Sequence, residues 1–175
     1  MTLFNGETVI PLDLRNDFEL WYRDNHPRMV TAMTVMFGDT EIAADAVDEA
    51  FVRAYERWER VASMRSPGGW LYAVSMNTAR RRLRRRTLER RLLGRLAPTE
   101  AIPGPSGELW DLVHDLPPRQ RQAVALRHVA QMTEIEIASV MGVQRGTISR
   151  TLRSAYDALR IELADNIEAR DAYSE

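Results

Sequence analysis

An all-α fold of two small helical domains joined by a flexible linker is predicted by three observations. Apolar residues recur at steps of three and four, and no stretch alternates as a half-buried strand would. A Pro- and Gly-rich stretch, Leu96–Gly107, interrupts that pattern. Beyond it, Thr133–Leu159 carries the caps and spacing of two short-linked helices. A chain of 175 residues has room for one medium domain or two small ones. The expected division is residues 1–95, a linker at 96–107, a second domain at 108–163 and a tail at 164–175.

The first helical segment spans about Asn16–Phe37 and carries Phe18, Trp21, Tyr22, Met29, Val30 and Met33. Pro27 either kinks or splits it, because proline lacks the N–H that continues a helix. Gly38 and Asp39 end it. Thr40 is placed as the N-cap of a second helix. In that helix Val47, Phe51, Ala54, Trp58 and Val61 form one apolar stripe. Asp45, Asp48, Val52 and Glu56 fall largely on other faces.

Ser66-Pro67 places a cap before a proline at the first helical position. The helix it opens runs to about Leu93, with Tyr72, Met76, Ala79 and Leu83 as its buried line. A second line passes from aromatic through amide to cation: Trp70, Val74, Asn77, Arg81, Arg84. Short helices are expected near Glu108–His114 and Pro118–Ala130. Thr133 and Glu136 then form a capping box before Ile137, Ala138 and Val140. Gly142 stands where a left-handed C-terminal residue is needed. Ile148, Leu152, Ala155 and Leu159 make the buried stripe of the following helix. Arg145, Thr147, Ser149, Arg150 and Arg153 lie in its first turns, mostly off that stripe. This is the layout of a helix-turn-helix, whose second helix enters the DNA major groove. Arginine there can pair with the guanine edge, and Ser or Thr can reach bases or phosphates. An ordinary helical hairpin with a polar outer face is the plainer alternative.

Charge is divided along the chain although the net charge is −1. Asp39, Glu41, Asp45, Asp48, Glu49, Glu56 and Glu59 make the first third acidic. Arg80, Arg81, Arg82, Arg84, Arg85, Arg86, Arg90, Arg91 and Arg95 make the middle basic, and the chain contains no lysine. Such asymmetry predicts one surface for an anion and another for a different partner. Arginine suits bidentate phosphate contact; a solvated helix face would carry the same run.

Cysteine is absent, which excludes disulfides, thiolate catalysis and cysteine-based zinc sites. His26, His114 and His128 have no metal-ligand spacing. No metal or cofactor is expected, nor a phosphate-binding Gly-rich loop. No apolar run approaches the roughly 20 residues that span a bilayer. Met1–Pro11 reads as no signal peptide, and a cytoplasmic location is the simplest expectation.

Two stretches carry a family resemblance. The first is Asp45-Ala46-Val47-Asp48-Glu49-Ala50-Phe51-Val52-Arg53-Ala54-Tyr55 with Gly69-Trp70-Leu71-Tyr72-Ala73-Val74-Ser75-Met76-Asn77-Thr78-Ala79-Arg80-Arg81. The second is Leu116-Pro117-Pro118-Arg119-Gln120-Arg121 with Ile135-Glu136-Ile137-Ala138 and Gly142-Val143-Gln144-Arg145-Gly146-Thr147-Ile148. In order and separation they resemble conserved regions two and four of the extracytoplasmic-function sigma factors of the sigma-70 family, from about Phe18 to Arg160.

The resemblance implies a non-catalytic subunit that docks on core RNA polymerase and directs promoter recognition and melting. Asp45, Asp48, Glu49, Val52 and Tyr55 would meet the clamp coiled coil of the largest polymerase subunit. Phe51 would either join them or lie in the core, and the same alternative holds for Tyr55. Ser63–Gly69 and the next helix would read the −10 element, where a base of the melted strand is flipped into a pocket. Met64 and Arg65 are candidates to line that pocket, Asn77 matches a polar family position, and Arg80, Arg81 and Arg84 would hold phosphates. Trp70 would either pack or touch a base. Arg145, Thr147, Ser149, Arg150 and Arg153 would read the −35 element. Here the chain departs from the family run: Ser149-Arg150-Thr151 displaces the usual arginine by one position, about 100° around a helix, and an unusual −35 preference follows. An anti-sigma factor is a further expected kind of partner. The acidic tail is a helix extension, a disordered end or a regulatory contact. The competing readings are a stand-alone helix-turn-helix regulator, which leaves the acidic helix unexplained, and an enzyme using Asp45 with Asp48 or Glu49.

Overall fold

The computed structural model describes residues 12–92 and 107–172, and these are mostly helical, with no strand among them. Eight helices are formed there: α1 (Leu12–Phe37), α2 (Thr40–Tyr55), α3 (Trp58–Ala62), α4 (Pro67–Leu92), α5 (Glu108–Asp115), α6 (Pro118–His128), α7 (Glu134–Met141) and α8 (Arg145–Ala172). Most of the expected linker, up to Ser106, lies outside the described residues.

The first half is built by α1, α2 and α4. Methionines 29, 33 and 36 of α1 meet Val47 and Phe51 of α2 and Leu71 and Met76 of α4, all buried. At the end of the bundle lies an aromatic cluster, with Trp21 and Trp58 rings 4.8 Å apart and Phe18 edge-on to Tyr55 at 5.0 Å. Pro27 does not split α1, which continues through it. The α2 stripe is buried from Val47 to Val61, but the helix stops at Tyr55 and resumes as α3, because Arg57 leaves helical geometry at φ −131°, ψ 29°. The cap of α2 is Asp39, not Thr40: its carboxylate accepts from Ile42 N at 2.9 Å. Ser66 caps α4 as expected, accepting from Gly69 N at 3.2 Å.

The second half packs α5–α8 around Val113, Leu116, Leu126, Ile137, Ile148 and Leu152. Thr133 and Glu136 form the reciprocal capping box, and Gly142 ends α7 at φ 66°, ψ 38°. Beyond the expected stripe, α8 continues as helix to Ala172, which takes in most of the acidic tail.

Glu136 is held below the usual carboxylate range, first by the backbone N–H of Thr133, then by the Thr133 hydroxyl and by Ser66. A depressed folded pKa means that this stability is present above the ordinary value of 4.5 and is lost as pH falls through the folded value. Replacing Thr133 by alanine removes the cap and will destabilise the domain by about 1 kcal/mol, read as a lower urea midpoint at unchanged slope.

The two halves touch. Helix α1 packs on α5 and α6, and α4 packs on α7, whereas α2 meets none of α5–α8 among the described residues. Across the contact Ser66 Oγ donates to Glu136 Oε1 at 3.1 Å, Arg28 to Gln131 at 3.3 Å and Arg80 to Gln122 at 3.4 Å. Gln131 sits at φ 57°, a left-handed conformation that costs a non-glycine residue roughly 1–2 kcal/mol.

Candidate docking and DNA-binding surfaces

The face expected to meet polymerase is split by its own hydrogen bonds. Val52 and Tyr55 are exposed on α2, and Tyr22, whose ring lies 4.8 Å from that of Phe51, extends the exposed apolar surface onto α1. Asp48 lies beside them, sharing a 2.7 Å hydrogen bond with the ring of His26. Asp45 and Glu49, by contrast, are tied to α4. Arg82 donates to Asp45 at 2.5 Å and to Glu49 at 3.2 Å, Arg81 donates to the other Glu49 oxygen at 3.2 Å, and Arg53 pairs with Glu49 from within α2. Arg86 continues the series to the cap residue Asp39 at 2.8 Å. Asp45, Arg81, Arg82 and Arg86 of these pairs line a groove of about 740 Å³ between α2 and α4, together with Glu41, Ile42, Arg85 and Glu89. Each pair is partly exposed and individually worth little. Their consequence is positional: two carboxylates expected to dock and one arginine expected to hold phosphate share a network.

The α4 cations therefore differ. Arg80 is half-buried and reaches α6 through Gln122; Arg81 is exposed but paired with Glu49; Arg84 is exposed and has no hydrogen-bond or ion-pair partner among the described residues. Asn77 is exposed on the same line, and Val74 and Trp70 are half-buried. At the start of α4, Met64 is half-buried and Arg65 exposed. A Cβ on Gly69 would come 2.8 Å from Ser66 Oγ, so a side chain there would displace the hydroxyl that caps α4.

In the helix-turn-helix, Ile148 and Leu152 bury one side of α8 while Arg145, Arg150 and Arg153 stay exposed and Thr147 and Ser149 half-exposed. Arg150 folds back to the carbonyl of Gly146 at 3.3 Å. Two of the expected readers converge on one carboxylate oxygen, Glu134 Oε2, with Ser149 Oγ donating at 2.6 Å and Arg145 Nε at 3.2 Å. The Ser149 hydroxyl, and then the Arg145 guanidinium, hold Glu134 below the usual carboxylate range.

Sequence reasoning missed Glu134, His26 and the pairing role of Arg82. Glu134 stood in the sequence only as the residue after a cap. Its bonds reach 11 and 15 positions along the chain, beyond any helical periodicity. Among the described residues no group of three His, Asp or Glu side chains could hold a metal, and no helix is long and apolar enough to cross a membrane.

An acidic-apolar face, an arginine-bearing helix and a helix-turn-helix stand together among the described, mostly helical residues. Residues 21–89 match the family Sigma-70 region 2, and residues 106–159 match Sigma-70, region 4. The chain is 32% identical over 166 residues to the RNA polymerase sigma-E factor of Streptomyces avermitilis, covering 89% of this chain and 87% of that protein. It is 24% identical over 149 residues to the ECF RNA polymerase sigma factor SigW of Bacillus subtilis, covering 74% and 80%. In fold it is similar to the sigma factor RpoE of Bartonella quintana, solved in complex with the anti-sigma factor NepR, with a TM-score of 0.73 at 17% identity over 85% of this chain and 98% of that one. The chain belongs to the extracytoplasmic-function sigma factors of the sigma-70 family. It is an alternative sigma factor of transcription initiation.

Proposed function

We propose that the two halves divide this work as their surfaces suggest. Residues up to about 95 dock on core polymerase and read the −10 element, residues 108–163 read the −35 element, and the chain acts in the cytoplasm without catalysis of its own. The observation that carries the docking assignment is the exposed face of α2, with Asp48, Val52 and Tyr55 free of every helix of the second half. Its occupant is the clamp coiled coil of the largest polymerase subunit; Asp45 and Glu49 act there through the network they share with Arg81 and Arg82. Arg84, Arg81, Arg80 and Asn77, with Met64 and Arg65 at the head of α4, face the melted −10 strand. Arg145, Thr147, Ser149, Arg150 and Arg153 face the −35 major groove. An anti-sigma factor is a fitting regulator, supported by a structural neighbour that was solved with one.

The test is run-off transcription with purified chain, core polymerase and fragmented DNA of the same source. Discrete transcripts that core alone cannot make are expected. Failure of the chain to bind core would overturn the docking assignment. In the same assay Val52→Asp, which puts a charge into the apolar part of the exposed face, will weaken binding to core at least tenfold. A hot-spot contact near the centre of an interface is worth about 2 kcal/mol or more. Unchanged binding by this variant would move the docking site off α2.

A further inference from the structure

The bonds to Glu134 bear on what the second helix of the helix-turn-helix can read, an inference that rests on the −35 assignment above. Arg145 and Ser149 are four residues apart, so they stand on one face of α8, one turn above the other. Glu134 projects toward them from the first turn of α7 and accepts from both through a single oxygen. A serine hydroxyl has one proton. With that proton committed to a carboxylate 2.6 Å away, Ser149 offers DNA lone pairs only. Arg145 is held at Nε, which leaves the two terminal amino groups of its guanidinium unbonded among the described residues.

We propose that Glu134 is a positioning residue for −35 recognition, fixing Ser149 as an acceptor and Arg145 as an end-on fork. In the major groove an acceptor matches the amino group of adenine or cytosine, and an arginine fork matches guanine O6 and N7. The element so read contains a guanine and, one or two base pairs from it, an adenine or cytosine on the strand that faces Ser149, rather than its thymine or guanine partner. Glu134 also places a negative charge among cations at the DNA surface. It thereby withholds Arg145 from phosphates and lowers affinity for DNA of any sequence.

The test uses the full chain bound to core polymerase and promoter fragments randomised over the −35 element, with retained sequences counted for wild type, Glu134→Ala, Glu134→Gln, Ser149→Ala and Arg145→Ala. A hydrogen-bonded base contact is worth about tenfold in discrimination. Ser149→Ala should abolish the preference for amino-bearing bases at one position, and Glu134→Ala should reduce it there to less than twofold. The double variant should be no worse than either single one. Glu134→Gln, whose amide oxygen still accepts the serine proton, should keep part of the preference. On a promoterless fragment Glu134→Ala should bind more tightly, with a log–log salt slope steeper by up to about 0.9, as Arg145 gains a phosphate.

A wild-type profile in Glu134→Ala, with altered profiles in Ser149→Ala and Arg145→Ala, would overturn the role of Glu134 alone. Equal loss of binding to every sequence, promoterless DNA included, would reduce Glu134 to a structural residue and overturn the proposal. Unaltered profiles in Ser149→Ala and Arg145→Ala would instead overturn the assignment of these residues as readers, on which the proposal stands.

Discussion

Joining positions 66 and 136 by a short cross-link will abolish promoter-directed transcription while the chain still attaches to core polymerase. Ser66 caps the helix assigned to the −10 element, and Glu136 belongs to the capping box of the first helix of the helix-turn-helix; their side chains are 3.1 Å apart. The −10 and −35 elements lie more than one helical turn of DNA apart, and a turn rises about 34 Å. The two readers cannot touch each other and also occupy both elements, so this contact must open on the promoter. The docking face need not wait for that opening, because α2 meets nothing in the second half among the described residues. The chain contains no cysteine, so Ser66→Cys and Glu136→Cys supply the only thiols, and a cleavable bismaleimide can join them. Run-off transcripts should fall more than tenfold on linking and return on cleavage, with co-purification on core unchanged throughout. Full transcription by the linked chain would show that the halves read the promoter without separating.

The sequence made those elements legible whose cause is local. The capping box at Thr133 and Glu136 and the left-handed Gly142 are single-residue requirements of helix ends, and both stand as read. The stripe from Val47 to Val61 is buried as its spacing demands. The break inside it was hidden because no glycine or proline marks Glu56-Arg57, and the apolar phase carries across it. At the start of α2, Asp39 and Thr40 are adjacent cap formers, and composition alone does not choose between them. What was not legible depends on helices meeting in space. Acidic and basic blocks were plain in the sequence, but their bonding through Glu49, Arg81 and Arg82 follows from how α2 lies on α4. Glu134 reaching Ser149 and Arg145 depends likewise on the angle between α7 and α8. The tail beyond Ala164 had three open readings; it continues α8 as helix to Ala172.

Replacing Arg80, Arg81 and Arg84 together by alanine will block promoter opening and flatten its salt dependence. Each neutralised phosphate contributes about 0.9 to the log–log slope on duplex DNA and about 0.7 on single strands. Without all three arginine–phosphate pairs the slope should be lower by about 2 to 3. The three arginines are not equivalent in the free chain. Arg84 has no carboxylate to leave among the described residues, so its single replacement should show most of one phosphate's share. Arg81 must exchange Glu49 for phosphate, and Arg80 must leave Gln122 of the second half, so both depend on rearrangement. Docking a basic polymerase surface on α2 would draw Glu49 away from Arg81 and raise that arginine's availability for DNA. Glu49→Gln supplies the complementary arm: it removes the competing charge on Arg81, so it should strengthen binding to promoterless DNA by the free chain. The measurement is open-complex formation between about 50 and 200 mM salt for each variant, with core binding followed in parallel. A triple variant that opens promoters with the wild-type slope would remove these arginines from the DNA path. Weakened DNA binding in Glu49→Gln would show that Glu49 organises the arginines rather than competing with phosphate for them.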